Sequence, residues 1–303
     1  MTGRGASLES LRQRIEPPCA ALDFHTHPLA DFGPCPVSTP AEDAGLLAAA
    51  ARRAGISRMV VFSLHHTCAR QPDMAQIREA NDYALRLRDA QPEVFVPFCY
   101  VSPCFPQEGA QEVERCIGRE RMAGVKLWVA RRASDTALDP IMLQAERWGV
   151  PVLQHAWNKT VGQLANESYP DDVADLANRF PRVRIVMAHL NGVNPRGVET
   201  VRSCPNVWID TSGGDPQAGI VAYAVERLGS GRILFGSDAP LRHPAVMLSK
   251  ALAAGLERQG LRDVLWSNAA RLLPDWSGVA ALDEAGSRRP ANPPAREGRI
   301  DQG

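Results

Sequence analysis

The sequence predicts an α/β fold, a (β/α)8 TIM barrel, from three observations. Short apolar, β-branched runs alternate with longer Ala-, Leu- and Arg-rich amphipathic stretches, the pattern of repeated βα units. Eight such alternations fit into 303 residues, and one barrel takes roughly 250. The first run leads into His25-Thr26-His27-Pro28, where an open dinucleotide-binding sheet would want a glycine-rich turn.

The strands are expected at Ala21–His27, Arg58–Leu64, Val94–Tyr100, Gly124–Val129, Pro151–His155, Arg184–His189, Val207–Thr211 and Ile233–Ser237. Each is a short apolar run with β-branched or aromatic residues, bounded by polar or turn-forming ones. Helical periodicity places helices near Ala41–Ala54, Asp73–Ala90, Gln107–Arg121, Asp139–Trp148, Asp171–Arg179, Pro195–Arg202, Gln217–Leu228 and Ala245–Gln259. Thr39-Pro40 and Asp139-Pro140 supply helix-start chemistry for the first and fourth, because a capping oxygen and a proline suit the unpaired N–H groups there. Gly55, Gly149 and Gly260 fall where helix C-terminal caps are needed. Met1–Glu16 is polar and helix-prone without an apolar core, so it reads as an N-terminal helical extension rather than a signal peptide. The pattern fades after Leu273, and Gly286–Gly303 is rich in Pro, Gly and Arg, the composition of a disordered C-terminal tail. The domain plan is an extension over 1–20, a barrel over 21–282 and a tail over 283–303.

Composition narrows the function. Thirty-four Lys and Arg balance 34 Asp and Glu, a formal net charge of +0, so the basic excess of a nucleic-acid binder is missing. No polybasic cluster beside an apolar face and no bilayer-length apolar run points to a membrane. Hydrophobic residues at 45% and charged ones at 22% are globular proportions. Seven cysteines without C-x-x-C spacing read as reduced thiols of a cytoplasmic protein. A small-molecule substrate is the expected partner.

Most of the seven histidines end an expected strand. His25 and His27 close the first, His65 and His66 follow the second, His155 closes the fifth and His189 the sixth, while Asp238 follows the eighth. The C-terminal strand ends of a barrel surround one mouth. Side chains alternate along a strand, so His25 and His27 point the same way and can face one ion together. His155, His189 and Asp238 approach from across the mouth. Neutral imidazole and carboxylate suit a divalent first-row ion. Water bound to such an ion is acidified toward a pKa of about 7, and a neighbouring carboxylate can take its proton.

The segments Asp23-Phe24-His25-Thr26-His27-Pro28, Gly124-Val125-Lys126-Leu127, Leu153-Gln154-His155, Val186 to Gly192 and Phe235-Gly236-Ser237-Asp238-Ala239-Pro240 resemble the amidohydrolase superfamily. The closest branch is the amidohydrolase-2 type of metal-dependent TIM-barrel hydrolases and decarboxylases. Asn268-Ala269-Ala270-Arg271-Leu272-Leu273 resembles that family's closing helix. The resemblance implies that His25, His27, His155 and Asp238 hold a metal, zinc being the first expectation. It gives His189 an acid/base or substrate-polarising role, or a place on a second ion. Lys126 is either carboxylated and bridging two ions, or a substrate contact, or a salt-bridged barrel lysine. Related barrels often pair through their helices, so a homodimer is one expected state.

His65, Arg131 and Arg242 sit in segments after strands two, four and eight, from which they could reach substrate, with Lys126 beside them. Arginine suits a substrate carboxylate through paired hydrogen bonds. Trp128, Trp157 and Tyr169 are candidates for an aromatic wall. No G-x-S-x-G occurs, and Cys68 and Cys104 are read as structural, because a metal–hydroxide mechanism needs no thiol nucleophile. The leading expectation is a metal-dependent hydrolase of a small carboxylated or cyclic substrate such as a lactone, with Asp238 shuttling the proton and His189 stabilising the oxyanion. The alternatives are a non-oxidative decarboxylase of an aromatic or dienoic acid, and a barrel without catalysis that acts as a binding protein.

Overall fold

A computed structural model describes residues 17–33, 36–214 and 217–273. The expected helix in the N-terminal extension and the expected disordered tail lie outside the described residues.

The described residues form an eight-stranded parallel sheet in sequential order. Its strands are β1 (Ala21–Thr26), β2 (Ile56–Val61), β3 (Phe95–Tyr100), β4 (Gly124–Leu127), β5 (Val152–Gln154), β6 (Ile185–Met187), β7 (Val207–Asp210) and β8 (Ile233–Leu234). The sheet closes on itself through backbone bonds from Phe24 N to Phe235 O at 2.8 Å, Asp238 N to His25 O at 2.8 Å and His27 N to Ala239 O at 2.7 Å. A parallel barrel buries its strands on both sides, and β1, β3, β4, β5, β6 and β8 are buried at every residue.

Eight helices alternate with the strands: α1 (Pro40–Arg53), α2 (Met74–Ala90), α3 (Pro106–Val113), α4 (Asp139–Trp148), α5 (Pro170–Arg179), α6 (Leu190–Thr200), α7 (Ile220–Leu228) and α8 (Pro244–Leu252). Thr39 caps α1 by accepting from Glu42 N at 3.1 Å, with Pro40 in the first turn. Ala44, Leu47, Ala48 and Ala51 make its buried stripe, at the spacing of one helix face. Asp73 and Gln76 form a reciprocal capping box at the start of α2. Gly149 ends α4 at φ 63°, the left-handed cap for which glycine is favoured.

Three expectations need correction. Helix α6 starts at Leu190, well before Pro195, and kinks at Asn194 (φ 53°, ψ −171°); a residue preceding proline is sterically pushed out of the helical region. Helix α8 stops at Leu252, and Gly260 lies inside a separate turn, Arg258–Arg262, instead of capping α8. The expected third helix is α only to Val113 and continues as a wider π turn over Glu114–Arg119. Beneath β8, Asn268 Nδ2 donates to the carbonyls of Ser230 and Ile233, both at 2.7 Å, tying the terminal helical segment to the barrel floor. Among the described residues no helix is long and apolar enough to cross a membrane.

Inside the barrel, Gly124 is covered by the Phe98 ring so closely that an added Cβ would stand 2.5 Å from it. The same ring packs edge-on against Phe24, with centroids 5.6 Å apart, so it has little room to retreat. Overpacking a filled core costs about 1–3 kcal/mol. Gly124→Ala should lower the thermal midpoint by several degrees, as read by calorimetry, and an unchanged midpoint would show that the layer is looser than the contacts indicate.

Candidate metal centre

The strands leave the ladder before the residues that carry chemistry. His27, His155, His189 and Asp238 all follow the last paired residue of their strand. Their backbones turn sharply there: His189 (φ 72°) and Asp238 (φ 64°) are left-handed without being glycine. Such conformations are strained and persist where surrounding structure imposes them.

In β1 the register against β2 shifts between Asp23 and Thr26, and the Asp23 carboxylate takes up the irregularity. Its Oδ1 accepts from His25 N at 3.2 Å and from Ser237 N across the seam at 2.8 Å. Burial pushes the Asp23 pKa up to about 7, although the bonds from Ser237 and His25 work against it.

His25 Nε2 lies 3.6 Å and His27 Nε2 3.5 Å from Asp238 Oδ1. His155 Nδ1 and His189 Nε2 are 3.0 Å apart. His25, His189 and Asp238 each offer a ligand atom within 4.8 Å of the others. The structure therefore gathers His25, His27, His155, His189 and Asp238 from four strand ends, and His189 sits as close to the centre as the residues expected to bind metal. The opposite ring nitrogens of His25, His155 and His189 are tethered, whereas His27 Nδ1 is buried without a hydrogen-bond partner among the described residues. His25 Nδ1 pairs with Asp210 Oδ2 at 2.9 Å, His155 Nε2 with Glu167 Oε1 at 2.9 Å, and His189 Nδ1 with Ser212 Oγ at 3.0 Å. Metal-binding histidines characteristically have the far nitrogen held this way, which fixes ring orientation and tautomer.

The electrostatics follow from burial. It holds the imidazoles of His25 and His189 well below the ordinary histidine pKa, with the Lys126 charge next in line for His25 and the His25 charge for His189. His27 and His155 are lowered by the same desolvation, against the pull of Asp238 on one and Glu167 on the other. Burial also pushes Asp238 upward, but the bond to His27 and the charges of His25, His27 and Lys126 outweigh it, leaving its carboxyl below the usual range. Neutral imidazoles with converging lone pairs around one ionised carboxylate fit a divalent cation with nitrogen and oxygen preference.

Lys126 is buried in the same region, its Nζ 4.5 Å from the centre of the Phe62 ring. Desolvation lowers its pKa to about 7 against the attraction of Asp210 and Asp238. Trp157 lies over the donors, 4.9 Å from the His189 ring and 6.2 Å from that of His155. Arg242 stands at the mouth, its Nε 3.5 Å from Gly214 O. Two other residues expected to face substrate are not brought to the donors. Arg131 is exposed and paired with Asp135 at 3.1 Å, since the chain after β4 turns outward into the polar segment before α4. His65 turns toward α2 and pairs with Glu79 at 3.3 Å, because its own backbone is left-handed, with φ 68°.

Asp210, Ser212 and Glu167 escaped the sequence reading. Asp210 ends β7 as His25 and His189 lie at the ends of β1 and β6, so its position was a usable signal. Glu167 lies in an irregular segment before α5, held by Lys159 Nζ at 2.8 and 2.9 Å, and no periodicity marks it.

The sequence profile of the Amidohydrolase family matches residues 22–274. The chain belongs to the amidohydrolase family. No curated protein matches it in sequence. Among solved structures it is similar to 5-carboxyvanillate decarboxylase from Sphingomonas paucimobilis, at 18% identity and a TM-score of 0.65, over 84% of this chain and 98% of that one. It is also similar to 2,6-dihydroxybenzoate decarboxylase from Rhizobium, at 16% identity and a TM-score of 0.66, over 84% and 99%. A third is dihydroxybenzoic acid decarboxylase from Polaromonas with bound manganese and the inhibitor 2-nitroresorcinol, at 16% identity and a TM-score of 0.63, over 84% and 97%. At these identities the likeness establishes a shared barrel.

Removing a tethering group from behind a metal-binding histidine costs about 10- to 100-fold in metal affinity. Glu167→Gln and Asp210→Asn should each weaken binding of a divalent ion by that factor in chelator competition. Affinities equal to wild type would show that the tethers do not act on the donors.

Proposed function

We propose that this chain is a metal-dependent enzyme that removes CO2 from a small hydroxylated aromatic or dienoic acid, a reading placed ahead of the hydrolysis expected first from sequence. The observation that carries it is the charge inventory of the centre. One carboxylate, Asp238, faces the neutral imidazoles and Lys126, while Asp210 and Glu167 lie behind His25 and His155 on their outer nitrogens. With a divalent ion in place the pocket is net positive and suits an anionic substrate. His25, His27, His155 and Asp238 would hold the ion, which polarises oxygen ligands and anchors a carboxylate or adjacent hydroxyl.

The protein's own groups then have separate tasks. Trp157 and Phe62 line the donors with apolar surface and limit water. Arg242 at the mouth supplies a guanidinium for a substrate carboxylate. Lys126, with its lowered pKa, is the group positioned to deliver a proton to the substrate carbon, and His189, held neutral beside Ser212, can carry one only after taking it from a substrate hydroxyl. A C–H bond forms at that carbon, the C–C bond to the carboxylate breaks, and its electron pair returns to the ring as CO2 leaves. Likeness to decarboxylases over nearly their whole length supports this reading. Zinc and manganese both accept this donor set, zinc by its imidazole preference and manganese by the precedent of the Polaromonas protein.

Hydrolysis is the second reading. It is favoured by Asp238 standing beside the ion's place, where it can take a proton from bound water, and by the family description. Metal-free protein reloaded with zinc or manganese and given hydroxybenzoates and lactones should release CO2 from an acid. Acid production from a lactone without gas would replace the first reading with the second. Neither activity from any member of the panel would leave the binding-protein alternative.

A proton carrier in the transition state contributes about 10²–10⁴-fold. His189→Ala should lower kcat by that order while the metal content per chain stays at the wild-type value. Loss of an ion together with activity would instead move His189 into the ligand set.

A further inference from the structure

We propose that His65, His66 and Glu79 form a second divalent-metal site at the barrel rim, taking zinc or a similar first-row ion, where the segment after β2 meets α2. Each of the three offers a donor atom, and these atoms lie within 4.8 Å of one another. Two imidazoles and a carboxylate with an open fourth position are a donor set that zinc accepts. This site is independent of the barrel centre and of the reaction assigned to it.

Three features distinguish the trio from a chance surface pairing. First, His65 is buried, and its ring is fixed through Nδ1, which lies 2.8 Å from Thr67 Oγ1 and 3.3 Å from Thr67 N. That leaves Nε2 directed at Glu79 Oε2, 3.3 Å away. Gln76 in turn donates to the Thr67 hydroxyl at 3.4 Å, so the tether is anchored on α2, the helix that also presents Glu79. Second, His65 adopts φ 68°, a strained backbone for a non-glycine residue, and this turn is what brings the His65 and His66 rings to a centroid distance of 4.0 Å. Two adjacent residues of an extended chain would point apart. Third, all three residues line one cavity of about 210 Å³, which Asp31, Thr39 and Tyr83 also line. The cavity gives a bound ion room for a water or a small anion as its fourth ligand.

Bonds of about 2.0–2.2 Å to nitrogen and oxygen require the donors to close in slightly. The exposed His66 and Glu79 can supply that movement by rotamer changes, while the buried His65 stays in place.

The test is zinc per chain in the full-length protein after equilibrium dialysis against zinc, read by elemental analysis. His66→Ala and Glu79→Gln, both exposed positions, should each bind one ion fewer than wild type. His25→Ala should lose a different ion, so that combining it with Glu79→Gln removes both. Cobalt(II) loading of His25→Ala should give an absorption band from the rim site that adding Glu79→Gln abolishes. Zinc content in His66→Ala or Glu79→Gln equal to that of wild type overturns the site.

Discussion

The seam between β1 and β8 is the constraint on which the rest of the centre depends. The bond from Asp238 N to His25 O and that from His27 N to Ala239 O join the two ends of the sheet. They also set Asp238 against both histidines of β1. Asp23 stabilises the seam from below by accepting from Ser237 N and His25 N. Its buried carboxylate is costly on its own, as the raised pKa shows, and it persists because two buried N–H groups would otherwise lack partners. Closing the barrel and building the site are one event: a sheet left open at this edge would separate His25 and His27 from Asp238.

Desolvation then decides what the gathered groups can do. Protonated imidazoles this close would repel one another and any cation, and burial keeps them neutral instead. The carboxylates are divided by position. Asp238 faces the centre, while Asp210 and Glu167 polarise His25 and His155 from the far side without adding acceptors in front. This division leaves a single carboxylate in front among neutral imidazoles, a donor set suited to a divalent cation. The zero net charge of the whole chain has little bearing on it, because the field at the mouth is set by a few buried groups.

Much of this was legible in the sequence, for a physical reason. Strand and helix periods differ, so the eightfold alternation survives as a pattern, and a barrel converts strand ends into spatial neighbours. That logic located His25, His27, His155, His189 and Asp238. It also fails in a specific way, because position at a strand end does not fix direction. A left-handed turn sends His65 toward α2, and a pairing with Asp135 holds Arg131 at the surface. The tethers were less visible still. Glu167 reaches His155 from an irregular segment, and Ser212 reaches His189 from beyond β7; no local period records a pairing chosen by the closed barrel.

The segment after β7 illustrates how tightly the tethers are built. Gly213, at φ 67°, lies so near His189 that a Cβ there would stand 2.4 Å from its Nδ1. Only a residue without a side chain lets the backbone pass behind that ring and present the neighbouring Ser212 hydroxyl to it. Ser212 also contacts His25 Nδ1 at 3.1 Å and pairs with Asp210 Oδ1, so one hydroxyl is shared by two rings from opposite sides of the mouth. Asp210, through His25 directly and His189 by way of Ser212, couples the orientation of two donors that belong to β1 and β6. A displacement of either ring is therefore felt by the other, and the centre responds as a unit even though its residues come from separate strands.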